Sequence, residues 1–196
     1  MKIIVITSPA EVKEEGEAIG RLLDSGVVER NHLRKPGLDE METRRLIESI
    51  PRCHYPRLSL HDHHNLACEY GLGGIHLNNR NPSLPADPEG HIVSRSCHSV
   101  AEVANALTAE RTGYCFLSPV FDSVSKPGYR GRITPEDCRD LSSAGLLDGR
   151  IFALAGITPE NLREVKALGF HGAAILGAAW EDISIDNFIN RLKQNL

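Results

Sequence analysis

No segment of the chain approaches the roughly 18 consecutive apolar residues that a membrane-crossing helix needs, so a transmembrane reading is excluded. Low-complexity tracts and interdomain linkers are also missing. The 196 residues are therefore expected to form one domain over 1–196, a length that buries a sizeable core. Net positive charge is absent. With 26 acidic against 22 basic residues the formal charge is −4, so no broad attraction to nucleic acid or membrane is expected, and any anion site must be a local cluster. There is no C-x-x-C pair among the five cysteines, Cys53, Cys68, Cys97, Cys115 and Cys138. Their odd number and wide spacing argue against a disulfide framework and a thiolate zinc site, and they are expected to be reduced and mostly buried. The N-terminal "MKIIVITSPAEVKEE" has an apolar run too short for a signal-peptide core and turns acidic at once, which makes the cytoplasm the expected compartment.

What the chain does have is a regular alternation. Short runs rich in Ile, Val and Leu recur at 2–7, 27–34, 57–60, 74–77, 91–96, 113–120, 150–155 and 172–177, each read as a strand. Helical patterns lie between them at 39–50, 64–70, 99–109, 134–144, 159–168 and 184–193. A first helix is expected to start at Ser8 as N-cap, with Pro9 at N1 and Glu11 at N3, and to end near Gly26. After the fourth strand "NNRNPSLPADPEG", with three prolines, reads as loop. Eight strands alternating with helices allow a (β/α)8 barrel or a doubly wound open sheet. The first strand is followed by "TSPAE" and not by G-x-G-x-x-G, which favours the α/β (β/α)8 TIM barrel.

In such a barrel the C-terminal ends of the strands carry the active site. Those ends collect Arg34 and Lys35, His61 and Asp62, Asn78 to Asn81, Ser96 and His98, then "SPVFDSVSKPGYRG" (118–131), "LAGIT" and "AILGAA". Arg34 offers a planar fork and Lys35 a point charge, suited to phosphate oxygens; a solvated loop pair would use the same residues. Ser123, Ser125 and Lys126 sit in a loop long enough to wrap an anion. Gly156 and Gly177 admit close approach of backbone donors to a ligand, although tight helix packing also selects glycine. "LSLHDHHN" raises a zinc question, since His61 and His63 alternate as a ligand pair would. No partnering carboxylate or histidine pattern of a metal hydrolase follows on later strands. On the residues alone Asp62 can serve as the N-cap of the next helix, with His63 and His64 beginning that helix at its surface.

These segments, taken in order, resemble one family: thiamine phosphate synthase and its relative, the thiazole tautomerase. "HLRK" (32–35) is similar to the family's H-L-R-E-K with the acidic residue missing, and "HD" (61–62) stands where the synthase has Asn-Asp. "GIHL", "RSCHS", "SPVFDSVSK", "LAGITPEN" and "GAAILGA" match in order and spacing, so the resemblance covers nearly the whole chain.

The resemblance implies an enzyme of thiamine biosynthesis that joins hydroxymethylpyrimidine diphosphate to thiazole phosphate and releases diphosphate. It implies Arg34, Lys35, Ser96 and Lys126 as diphosphate ligands, Lys126 being also catalytic, and Ser123, Ser125, Gly156, Leu176 and Gly177 around the thiazole phosphate. Asp62 and Asn81 would hold Mg2+, with Asn81 standing where the family has a second aspartate. In the tautomerase branch a proton moves on a thiazole carboxylate phosphate, and His98 would carry it, because an imidazole both accepts and donates near neutral pH. A non-catalytic barrel that only binds thiamine phosphates is the further alternative. The partners expected are phosphorylated pyrimidines and thiazoles, with a homodimer allowed.

Overall fold

A computed structural model describes residues 1–86, 88–109, 112–122, 131–181 and 184–196. Eight strands, β1 (Lys2–Ile6), β2 (Arg30–Leu33), β3 (Leu58–Leu60), β4 (Gly74–Leu77), β5 (Ile92–Cys97), β6 (Tyr114–Leu117), β7 (Ile151–Ala153) and β8 (Gly172–Ile175), pair in parallel, each with the next. β8 returns to β1 with Val5 opposite Ile175, closing the barrel. The helices are α1 (Glu15–Asp24), α2 (Glu40–Glu48), α3 (Asn65–Tyr70), α4 (Val100–Ala109), α5 (Pro135–Ser143), α6 (Leu162–Ala167), α7 (Gly177–Trp180) and α8 (Ile185–Asn195). The expected (β/α)8 barrel is the fold of this chain. Among the described residues no helix is long and apolar enough to cross a membrane.

Strand side chains alternate between two environments, as the two-residue period of a strand requires. One set packs outward with the helices into the large core: Ile3 and Val5, Leu33, Leu58 and Leu60, Ile75 and Leu77, Cys115 and Leu117. The other set fills the barrel, and it is divided. Ile4, Ile6, Tyr114, Phe116, Phe152 and Ala174, with Leu154 and Leu176 against them, line the side built by β1, β6, β7 and β8. The opposite side, from β2 to β5, carries the buried polar residues Arg30, His32, Ser59, His61, His76 and Ser94.

The first helix begins later than its cap pattern suggests. Ser8 Oγ accepts from the Ala10 amide, turning the chain locally, and α1 starts at Glu15 after Glu14 in the left-handed region. The start is fixed by tertiary contact: Glu15 is buried against Lys35 at 2.7 Å, and Lys35 Nζ also donates to the Ala10 carbonyl at 2.6 Å. The other caps follow local chemistry, Asp39 and Thr134 each completing a capping box with the residue three positions on. Asp62 does not cap α3; His64 stands at that position and makes no side-chain cap bond. His63 and His64 are half-buried, with Nε2 on the Leu38 and His76 carbonyls, so they pin the turn instead of decorating a surface.

Two short elements had no periodic signal, a 3-10 turn over Arg52–Arg57 and the four-residue α7. The 159–168 helix divides into a 3-10 turn, Pro159–Asn161, and α6. Trp180 Nε1 donates to the Ile6 carbonyl at 2.7 Å, joining α7 to the end of β1 across the seam where the barrel closes.

Candidate active site

The mouth of the barrel is organised first by Thr7, fully buried just after β1. Its hydroxyl donates to the Arg34 carbonyl at 3.1 Å and accepts from the Arg34 amide at 2.7 Å, fixing the backbone from which Arg34 projects. Thr7→Val keeps the shape and removes both bonds, leaving the Arg34 amide unpaired. It is expected to cost about 1–2 kcal/mol in chemical denaturation, whereas an undisplaced midpoint would show the clamp to be idle.

Arg34 and Lys35 part company at the end of β2. By strand alternation Arg34 continues the inward row of Arg30 and His32, while Lys35 faces α1 and is taken up by Glu15. Burial pushes the Glu15 carboxyl upward despite Lys35. Lys35 is thus a buried strut, and an anion at the mouth would have to strip it from its carboxylate. The half-buried Arg34 guanidinium makes no hydrogen bond among the described residues. Its basicity is lowered by desolvation and by the nearby charge of Arg80, against the opposing pull of Asp62, and it stays cationic.

Arg80 lies within the Asn78–Asn81 strand end, where the sequence pattern singles out no role for it. It contacts both oxygens of Asp62, at 3.2 and 3.3 Å. Asn81 Nδ2 donates to Asp62 Oδ1 at 2.7 Å and to the His61 carbonyl at 3.0 Å, so two acceptors orient its amide. The amide nitrogen, not the oxygen, therefore faces Asp62. Mg2+ takes oxygen ligands. Here Asp62 is engaged by Arg80, and Asn81 offers it a donor, so these residues do not fit a protein-held Mg2+.

Ser96, half-buried on β5, bonds His76 Nε2 at 2.8 Å, and Ser94 bonds Nδ1 of the same ring at 2.8 Å. Behind them His32 Nδ1 meets His61 Nε2 at 2.9 Å and His32 Nε2 meets the Tyr114 hydroxyl at 2.6 Å. Burial holds all three imidazoles neutral, pushing His32 and His61 far down and His76 to about 3. These rings could be taken for a metal site, since their nitrogens gather within 4.8 Å. The His61 and His76 rings are stacked, however, with centroids 4.0 Å apart and planes at 23°, so their lone pairs run side by side and do not converge on one ion. The pair that the sequence suggested, His61 and His63, does not share a face either, because His63 turns to Leu38.

His98 is exposed beyond β5, with Nδ1 3.0 Å from the Ser118 carbonyl. The Ser118 hydroxyl is a second neighbour of the same nitrogen at 3.3 Å, and the nearer carbonyl, which can only accept, favours the proton on Nδ1. Gly156 lies beyond β7 at φ +67°, and an added Cβ would meet the Asp122 carbonyl at 2.5 Å. Its glycine is demanded by the adjoining loop, whatever else binds there. Leu176 and Gly177 lead from β8 into α7. Ser123, Ser125 and Lys126 lie outside the described residues.

The family model described as thiamine monophosphate synthase matches residues 3–179. The chain belongs to that family. A thiamine phosphate pyrophosphorylase structure from Bacteroides thetaiotaomicron is 37% identical, with a TM-score of 0.83, covering 99% of this chain and 96% of that one. The thiamine-phosphate synthase of Methanoculleus marisnigri is 30% identical over 173 residues, 82% of this chain and 78% of the relative. That of Parasynechococcus marenigrum is 29% identical over 90% of this chain, which spans about half (51%) of that relative's length. Of the described residues in the segments that resemble the thiamine monophosphate synthase family, Arg34, Asp62, His98, Gly156 and Gly177 follow the C-terminal ends of β2, β3, β5, β7 and β8 of the one closed barrel.

Proposed function

We propose that the chain is a thiamine phosphate synthase, joining hydroxymethylpyrimidine diphosphate to thiazole phosphate with release of diphosphate. The observation that carries this reading is the cationic mouth: Arg34, without a hydrogen-bonded partner among the described residues, and Arg80 lie in electrostatic reach of each other and of Asp62. Two like charges held together at a concave rim are stabilised by an anion of higher charge, and a leaving diphosphate is one. Arg34 and Arg80 would take the diphosphate oxygens, with Ser96 adding a hydroxyl. Lys35, held by Glu15, is left out of this set. The thiazole phosphate would sit over the β7 and β8 ends, on main-chain donors of Gly156, Leu176 and Gly177, with Ser123, Ser125 and Lys126 assigned there or to the diphosphate by the family resemblance. Holding the nucleophile against the carbon that loses diphosphate is then the main catalytic task. Since the donor set does not fit a protein-held Mg2+, the guanidinium groups of Arg34 and Arg80 would meet the charge of the leaving diphosphate.

A second reading rests on His98. An exposed imidazole oriented by Ser118 suits a group that moves a proton on a thiazole carboxylate phosphate. Supplying the purified protein with both synthase substrates separates the readings. Diphosphate is expected to appear in step with the coupled product. Silence in that assay, together with a tautomerisation abolished by His98→Ala, would transfer the assignment to the isomerase. Binding without turnover in either assay would make the barrel a carrier.

A further inference from the structure

The polar half of the barrel interior is expensive. Six buried polar side chains stand where apolar ones would fill the volume at lower cost, and each must be hydrogen-bonded to be tolerated. In His76 the satisfaction has a particular form. Both ring nitrogens are bonded to serine hydroxyls of the neighbouring strand, two residues apart, and the register sets His76 directly opposite Ser94. The ring is fully buried and neutral, so one nitrogen donates and the other accepts. The serine hydroxyls can turn either way. The polarity of the row Ser94, His76, Ser96 is therefore decided at its ends.

One end is inside the barrel, where the Ser94 hydroxyl, beside the Tyr114 hydroxyl that is itself bonded to His32, can place its one proton either on the Ile75 carbonyl at 3.4 Å or on His76 Nδ1 at 2.8 Å. The other end is Ser96 at the mouth. An ionised phosphate or diphosphate oxygen facing Ser96 can only accept, so Ser96 donates its proton outward, accepts from His76 Nε2–H, and leaves Nδ1 to accept from Ser94. We propose that an anion at the mouth locks His76 into its Nε2–H tautomer, and that His76 thereby acts through Ser96 as a positioning residue for phosphate binding. This deepens the synthase reading and rests on it for the place of the anion. Because each bond in the row polarises the next, a hydroxyl so backed is a stronger donor than one bonded to water.

Calorimetric titration of the full chain with inorganic diphosphate tests the inference. Ser96→Ala and His76→Leu are each expected to weaken binding about tenfold, and the double variant little more than either single one, because the two residues act as a unit. H76Q, which keeps a donor and an acceptor on one rigid amide, is expected to restore most of the affinity. On the wild-type protein, nitrogen NMR of labelled histidine at saturating diphosphate is expected to show His76 protonated on Nε2, a readout that stands even if His76→Leu fails to fold. Independent, additive losses in the double variant, an Nδ1–H tautomer in the bound state, or stoichiometric zinc held by His32, His61 and His76 would each overturn it. Wild-type protein that ignores diphosphate altogether would instead overturn the synthase reading, and this inference with it.

Discussion

Lowering the pH from 7 to 5 is expected to remove about 2 kcal/mol of folding stability through His76 alone. The folded-state value of about 3 lies below the ordinary 6.5, so the unfolded chain binds the proton first. Stability from this residue is fully present above pH 6.5 and falls by about 1.4 kcal/mol per unit on acidification, until the folded ring itself titrates near 3. His32 and His61 are shifted in the same direction by the same cause, burial, and steepen the loss. Glu15 works the other way, since its burial raises the folded value and favours acid, but it is one carboxyl against three imidazoles. Urea denaturation at pH 7, 6 and 5 would read this directly, with a shallower slope in H76Q. A midpoint unchanged from pH 7 to 5 would show that the three rings are not buried neutral in solution.

Arg34→Ala is expected to cut kcat/KM about 100- to 1,000-fold while leaving thermal stability nearly unchanged. The side chain makes no hydrogen bond among the described residues, so the folded state loses little when it goes. A departing diphosphate would lose a planar two-pronged donor in a partly desolvated mouth, where such a contact is worth most. Arg34→Lys should recover only a minor part, because a point charge cannot supply two parallel bonds. Arg80→Ala is also expected to lower activity, since it removes the second cation and leaves the Asp62 carboxylate that Arg80 occupies uncompensated beside the anion. Steady-state kinetics with diphosphate release as the signal would decide. Wild-type kcat/KM in Arg34→Ala would remove the cationic mouth from the mechanism.

The barrel was legible because its signal is repetitive: each βα unit restates the same apolar run and amphipathic stretch, and a shift of a few residues at any boundary does not alter the count. Strand parity was the information left unused. Applied to "NHLRK" it puts His32 and Arg34 on one face and Lys35 on the other, and applied to "GIHL" and "VSRSC" it lets His76 share a face with Ser94 and Ser96. The histidine row could have been found that way. The start of α1 could not, because Ser8, Pro9 and Glu11 do form a local start pattern and are overruled by Glu15 meeting Lys35 across a gap of 20 positions. Arg80 was hidden by its setting, a polar loop with no periodicity, and its role appears only when β3 and β4 bring Asp62 beside it.

The sole tryptophan of the sequence is also the residue that latches α7 to β1. Half-buried, with its indole proton on a main-chain oxygen, Trp180 is a built-in fluorophore stationed at the one join where the first and last strands meet. The unlabelled protein thus carries its own optical gauge of that join. An emission maximum that moves to longer wavelength signals water reaching the latch, and it does so without contribution from any second indole.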